Sequence, residues 1–163
     1  MNTNIRNELL KTIERNSKIN PNELSKMFEV SETDILNELS ELEKERIICG
    51  YLTLIDWDKT DSEKVIGLIE VKVTPQRGQG FDRIAERIYN YKEVQSVYLI
   101  SGAYDLLVTL EENSLKDIAK FVSEKLSTLD AVLSTATHFI LKKYKDHGMI
   151  FDNKYEDERE VIS

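Results

Sequence analysis

The 163-residue chain contains one cysteine, two prolines, six glycines and two histidines. A lone Cys49 excludes an internal disulfide framework and any cysteine-rich zinc site. So little proline and glycine excludes collagen-like and mucin-like chains. Apolar residues, 40% of the total and recurring throughout, exclude a disordered one. No apolar run approaches the roughly 18 residues that span a bilayer. The start, Met1-Asn2-Thr3-Asn4-Ile5-Arg6, lacks the apolar stretch of a secretory signal, so the cytoplasm is the expected location. With only His138 and His147, a His-rich metal centre or a Ser-His-Asp apparatus has few parts, and neither a metal site nor a cofactor is expected. What the chain does have is acid: 30 Asp and Glu against 22 Lys and Arg, a net charge of −8. General basicity is therefore not how it would hold nucleic acid, although a local patch can differ from the whole.

Between residues 4 and 48 the pattern predicts three helices. Ile5, Leu9, Leu10 and Ile13 form a helical stripe. Asn20-Pro21-Asn22-Glu23 is a helix start, with Asn as cap, Pro in the first turn and Glu three residues after the cap. Leu24, Met27 and Phe28 are its expected buried face. Ser31-Glu32-Thr33-Asp34 opens the third helix, which is expected to bury Ile35, Leu36, Leu39 and Leu42 and to turn Asn37, Glu38, Glu41 and Lys44 outward. The short connection between helices two and three is a helix-turn-helix signature. Ile47 to Trp57 is β-like and is expected to be a strand or wing closing the first domain, and polar residues 58–64 read as a linker or hinge.

The second half predicts a strand over 65–74, a loop to Gly80 and a helix carrying Phe81, Ile84, Ala85 and Ile88. A strand over 94–101, a tight Gly102-Ala103 connection and a strand over 104–110 follow. A helix capped by Ser114 and a long last strand over 131–144 complete the order. This βαββαβ order defines a ferredoxin-like unit. The expected architecture is α+β: a winged helix-turn-helix over 1–57, a linker over 58–64, a ferredoxin-like domain over 65–150 and an acidic mobile tail over 151–163. A four-stranded sheet with helices on one face leaves the other face to be covered, which predicts a dimer or larger assembly.

This arrangement resembles the Lrp/AsnC family of transcriptional regulators, and particular residues carry the likeness. Asn22-Glu23-Leu24-Ser25 and Val30-Ser31-Glu32-Thr33 are similar to the family's opening of helix two and its turn into helix three. Leu42-Glu43-Lys44-Glu45-Arg46-Ile47-Ile48-Cys49-Gly50-Tyr51 resembles its Leu-Glu-x-x-Gly-x-Ile-x-Gly-Tyr segment, with Arg46 in place of the first Gly. Ser101-Gly102-Ala103-Tyr104-Asp105 resembles its Gly-x-Tyr-Asp connection, and Thr135-Ala136-Thr137 its Thr-x-Thr. The resemblance implies a metabolite-responsive regulator, not an enzyme. It would bind double-stranded DNA through the helix-turn-helix and an amino acid or similar effector at interfaces of its C-terminal domains. It would be a homodimer able to assemble further, up to an octamer, with no membrane partner. At the effector site, Gly102 would allow a sharp turn that bares backbone N–H groups to a carboxylate. Asp105 would meet an ammonium group, and Tyr104, Thr135 and Thr137 would complete the cluster.

The expected DNA reader is unusually acidic. From Ser31 to Glu45 there are six acids and one base, Lys44. Residues 1–57 hold seven bases against eleven acids. Affinity for DNA comes largely from Lys and Arg displacing counterions, so carboxylates on this helix oppose it. Glu38 and Glu41 stand where the family commonly has bases. The residues assigned to DNA contact are Lys26, Ser31, Thr33, Asn37, Lys44 and Arg46, with Arg6, Lys11, Arg15 and Lys18 as further anchors. Two other readings stay open. One is an effector-binding or assembly module that has lost DNA binding. The other is a sirohaem-decarboxylase-like enzyme, for which His138, Arg77, Arg83 and Arg87 are the loose candidates.

Overall fold

The computed structural model describes residues 2–62, 64–74 and 80–151, and the chain divides into two compact units, Met1–Ile55 and Asp56–Ser163. The loop expected at 75–79 and the tail beyond 151 lie outside the described residues.

The first unit is three helices: α1 (Thr3–Arg15), α2 (Pro21–Phe28) and α3 (Glu32–Lys44). Each start is set by a side chain that accepts an otherwise unpaired backbone N–H. The Asn2 side chain accepts from Asn4, Asn20 from Glu23 and Ser31 from Asp34. Leu9, Ile13, Leu24, Ile35 and Leu42 form the core, with Leu10, Phe28, Val30 and Leu39 packed at its edge.

Helices α2 and α3 both end in left-handed residues that are not glycine: Glu29 at φ 55° and Arg46 at φ 57°. After α3 the amide of Ile47 donates to Leu42 and that of Arg46 to Glu43, the two bonds of a Schellman cap. Arg46 thus occupies a left-handed position at which glycine would be free of steric cost.

The expected wing is not formed. Residues 49–56 carry no regular structure, and the segment ends in a short 3-10 turn at Trp57–Lys59. The residues have strand propensity, but an isolated extended segment has no neighbour to satisfy its N–H and C=O groups. Tyr51, Leu52, Leu54 and Ile55 are accordingly exposed.

The second unit has an antiparallel sheet of β1 (Val65–Val73), β2 (Val94–Leu99), β3 (Leu106–Glu112) and β4 (Val132–Phe139), in the order β2-β3-β1-β4. Helices α4 (Asp82–Tyr89) and α5 (Leu115–Phe121) connect β1 to β2 and β3 to β4. Ile69, Val71 and Val73 on β1, with Leu106, Val108 and Leu110 on β3, pack against Ile84, Ile88, Ile118 and Phe121. Gly67 permits the close approach of α5, because a Cβ there would stand 2.9 Å from Ile118 Cγ2.

Helix α5 runs into a single π turn at Val122–Leu126. From this turn the Lys125 ammonium reaches Glu93, 5.4 Å from the Tyr91 ring centroid and 5.6 Å from that of Phe121. Beyond Phe139 the expected long strand gives way to a hairpin, β5 (Lys145–Asp146) and β6 (Met149–Ile150), turning at His147-Gly148. Both turn residues have positive φ, the geometry a two-residue hairpin needs.

Candidate functional site

Helix α3 presents a surface different from the one its polarity pattern predicts. Glu38 is buried at 4% exposure, whereas Leu36 is 49% exposed. The two residues have exchanged their expected positions, and the reason is Arg6. From α1, Arg6 Nη1 lies 3.2 Å from Glu38 Oε1, and its Nη2 pairs with Glu45. A buried carboxylate is tolerable when a cation neutralises it. Arg6, expected as a phosphate anchor, is committed to this internal pair.

Most other acids of α3 also have local employment. Asp34 accepts from the Ser31 hydroxyl at 2.7 Å, and Glu32 from the Asn22 side chain at 3.4 Å. Both lie in the first turn, where the helix dipole favours negative charge. Glu43 accepts from the Tyr51 hydroxyl at 2.8 Å, and partial desolvation of the half-exposed Tyr51, followed by this contact, raises its pKa. Among the described residues Glu41 alone of these six acids has no such contact.

The exposed stripe of α3 is then Thr33, Leu36, Asn37, Ser40 and Lys44, at the spacing of one helical face. Of the residues assigned to DNA, Thr33, Asn37 and Lys44 lie on this stripe. Ser31 is the cap, its hydroxyl used within the chain, and Lys26 and Arg46 are exposed at the ends of α2 and α3. Leu36 and Ser40 were missed because polarity alone assigned Leu36 inward.

In the second unit the residues assigned to the effector fall into two groups. Asp105 is built into the fold: its Oδ2 accepts from the Val73 amide at 2.8 Å, its own amide donates to Val71, and its carbonyl accepts from Ile100. These bonds lock the 100–105 turn to the end of β1, so β3 begins at Leu106 and not at Tyr104. Gly102 departs from expectation. It has no positive φ, and a Cβ there would meet only Ile100 Cγ2 at 3.9 Å, an ordinary contact. The chain's own geometry thus places no demand for glycine at 102, and the space above it is open.

Thr135 and Thr137 lie opposite Val71 and Ile69, on the helix-covered side of the sheet and at its edge. Since Val71 pairs with both Leu106 and Thr135, β1 separates the turn from the threonines by two strand spacings, about 10 Å. One chain does not bring the two groups together.

The residues suggested for tetrapyrrole chemistry are also apart. His138 pairs with Leu68 on the uncovered face, where its Nε2 is 3.3 Å from Glu70 Oε1, whereas Arg83 and Arg87 belong to α4 on the opposite side. Arg77 lies outside the described residues. No three His, Cys, Asp or Glu side chains among the described residues are grouped to hold a metal, and no described helix is long and apolar enough to cross a membrane.

The architecture is a capped helix-turn-helix unit followed by a ferredoxin-like unit on one chain. A profile of the Lrp/AsnC ligand binding domain matches residues 67–150, and the chain belongs to the Lrp/AsnC family. It is 50% identical over 157 residues to the HTH-type transcriptional regulator YugG of Bacillus subtilis, covering 96% of this chain and 95% of that one. It is 28% identical over 144 residues to the leucine-responsive regulatory protein of Escherichia coli, covering 87% and 86%. Among solved structures, E. coli AsnC matches with a TM-score of 0.65 at 20% identity, over 88% of this chain and 94% of that one. The NMB0573 regulator of Neisseria meningitidis, solved as its L-Met complex, matches with a TM-score of 0.68 at 22% identity, over 90% and 92%. These two share the fold. The protein is a transcriptional regulator, and its relatives give no support to the enzyme reading.

Proposed function

We propose that the exposed stripe of α3 enters the major groove of an operator rich in A·T pairs. The observation that carries this reading is the inward turn of Glu38 onto Arg6, which removes a carboxylate from the groove-facing side. The Asn37 carboxamide suits adenine N6 and N7, and the apolar groups of Thr33 and Leu36 suit thymine methyls. Lys26, Lys44 and Arg46 meet phosphates, with Ser31 holding the helix end in position. Retarded migration of the protein's own promoter fragment in low salt, weakening steeply as salt rises, is the expected result. No shift of any genomic fragment at any salt or effector concentration would overturn it.

The effector is an amino acid or a close relative, seated where the Gly102–Asp105 turn of one subunit approaches Thr135 and Thr137 of another. Two features support this. Gly102 is free of any internal need for glycine, and β1 separates the two groups within one chain. The assembly is a homodimer that can build further. Asp105→Asn tests the site, because an amide oxygen still accepts from Val73 while the charge that meets an ammonium group is gone. Loss of an amino-acid-induced thermal shift with the fold intact is expected. A shift that persists would move the site elsewhere.

One observation favours a module without DNA binding: Lys44 is the only base on α3, and Glu41 remains exposed beside it. Amino-acid binding and oligomer formation without any DNA shift would establish that reading.

A further inference from the structure

The chain that runs from α3 to β1 is fastened to each unit separately. On the first unit, Ile48 packs against the helical core and its amide donates to the Leu42 carbonyl at 3.1 Å. The Cys49 thiol donates to the Arg46 carbonyl at 3.1 Å, and the Tyr51 hydroxyl donates to Glu43 Oε1 at 2.8 Å. Tyr51 is thus tied to the last turn of the reader helix. On the second unit, the half-buried Trp57 ring lies under the Lys64 ammonium, 4.4 Å from the centroid, and Lys64 pairs with Glu111 of β3. The turn at Trp57 is closed by the Thr60 amide, which donates to the Trp57 carbonyl at 3.0 Å, and by the Ser62 amide, which donates to the Thr60 hydroxyl at 3.2 Å.

Between these anchors, residues 52–55 make no hydrogen bond or ion pair among the described residues. The polar composition of 58–64 suggests a linker, yet it is this stretch that is held. Lys64 meets a carboxylate and an aromatic face at once, two contacts that reinforce each other. Its side chain is 28% exposed and that of Glu111 23%, so salt screens the pair less than it would a surface pair. The consequence is one of length. Five residues between Tyr51 and Trp57 reach at most about 20 Å, whereas the thirteen residues 52–64 would reach about 50 Å if Trp57 and Lys64 were loose.

We propose that Tyr51 and the Trp57–Lys64 stack are positioning residues for DNA recognition, which shorten the working connector between the units to residues 52–56. The inference rests on the DNA and homodimer readings of the preceding subsection. Once one reader of a dimer has docked, the second searches for its half-site at an effective concentration set by the connector, which falls roughly as the −3/2 power of its length. Loosening Trp57 lengthens the connector from five residues to thirteen and lowers that concentration about fourfold. Loosening Tyr51 frees residues 49–51 as well and lowers it about twofold, and loosening both lowers it about sixfold. Neither residue needs to touch DNA for this effect.

The test uses the full chain and two readouts. Trp57 is the only tryptophan, so its fluorescence anisotropy decay reports the second anchor directly. The parent is expected to lack a fast nanosecond component, Lys64→Met to gain one, and Lys64→Arg to resemble the parent. A parent whose Trp57 already rotates freely would overturn the proposal. The second readout is affinity for the protein's own promoter fragment over a salt series. Tyr51→Phe combined with Lys64→Met is expected to weaken binding about sixfold with an unchanged slope of log K against log salt, because no phosphate contact is lost. Glu43→Gln, whose amide oxygen still accepts from Tyr51, is expected to bind at least as well as the parent. Circular dichroism of each variant checks that the fold persists. Parent-like affinity in the double variant would overturn the proposal. So would a slope reduced by about one in Lys64→Met, which would make Lys64 a phosphate contact. A parent that binds no promoter fragment would remove the DNA reading and with it the positioning role, while the anisotropy decay would still show whether Trp57 is anchored.

Discussion

Arg6 of α1 and Glu38 of α3 form an ion pair of 3.2 Å in which the Glu38 side chain is 5% exposed and the Arg6 side chain 26%. It joins the first helix to the reader helix and sets which side of α3 faces outward. Replacing Glu38 by Arg would place two guanidinium groups together at a buried position. Glu38→Arg is therefore expected to destabilise the first unit by about 3 kcal/mol and not to create DNA affinity. Chemical denaturation measures it, and an unchanged midpoint would refute the pair's role.

Glu41→Arg should behave differently. Glu41 is exposed and does not join the internal contacts of the other acids of α3. The variant is expected to keep its stability within about 0.5 kcal/mol. Its DNA affinity should rise, and the slope of log K against log salt should steepen by about one. Fluorescence anisotropy over a salt series reads both.

Arg46→Gly separates stability from DNA contact. At φ 57° glycine escapes the steric cost an L side chain bears, so the variant is expected to gain about 1 kcal/mol. The same change removes an exposed base, and nonspecific DNA affinity should fall. A melting curve and a binding curve on one preparation are enough.

Two glycines should respond oppositely to alanine. Gly67→Ala drives a Cβ against the buried Ile118 and is expected to cost about 1–3 kcal/mol. Gly102→Ala meets no such obstacle and should leave the melting temperature unchanged while reducing amino-acid binding. A large stability loss at 102 would show that the chain itself needs that glycine.

The Glu93–Lys125 pair predicts an acid limb of stability in the second unit. The hydrogen bond from Lys125 holds the Glu93 carboxyl below its ordinary pKa, against a smaller opposing effect of burial. The folded state therefore binds that proton less readily than the unfolded one. The contribution is complete above the unfolded pKa and is lost as pH falls through the ordinary carboxylate range towards the lowered folded value. Lys125→Met should flatten this limb, as melts between pH 3 and pH 7 would show.

Much of the molecule was legible in the chain. Asn20, Ser31 and Ser114 cap the helices they announce, because capping depends on residues within one turn. The βαββαβ order follows from periodicities of 2 and 3.6, which are equally local. Ile69, Val71 and Val73 fall on the buried face as their alternation requires.

The places where local pattern failed were decided by neighbours distant in sequence. The segment after Cys49 has strand composition but no partner strand among the described residues, and a strand exists only by pairing. Leu36 and Glu38 exchanged places because Arg6, 32 positions before Glu38, supplies the countercharge. Gly102 carries a family motif, yet its backbone needs no glycine. Lys64 and Glu111 are 47 positions apart and meet only because β1 and β3 pair. The sequence by itself determined the helices, the four strands of the main sheet, their order and the family, since these rest on short-range propensity and motif spacing. Tertiary structure alone decided which carboxylates are neutralised and which charges share a space, because electrostatic energy depends on distance through space and not along the chain.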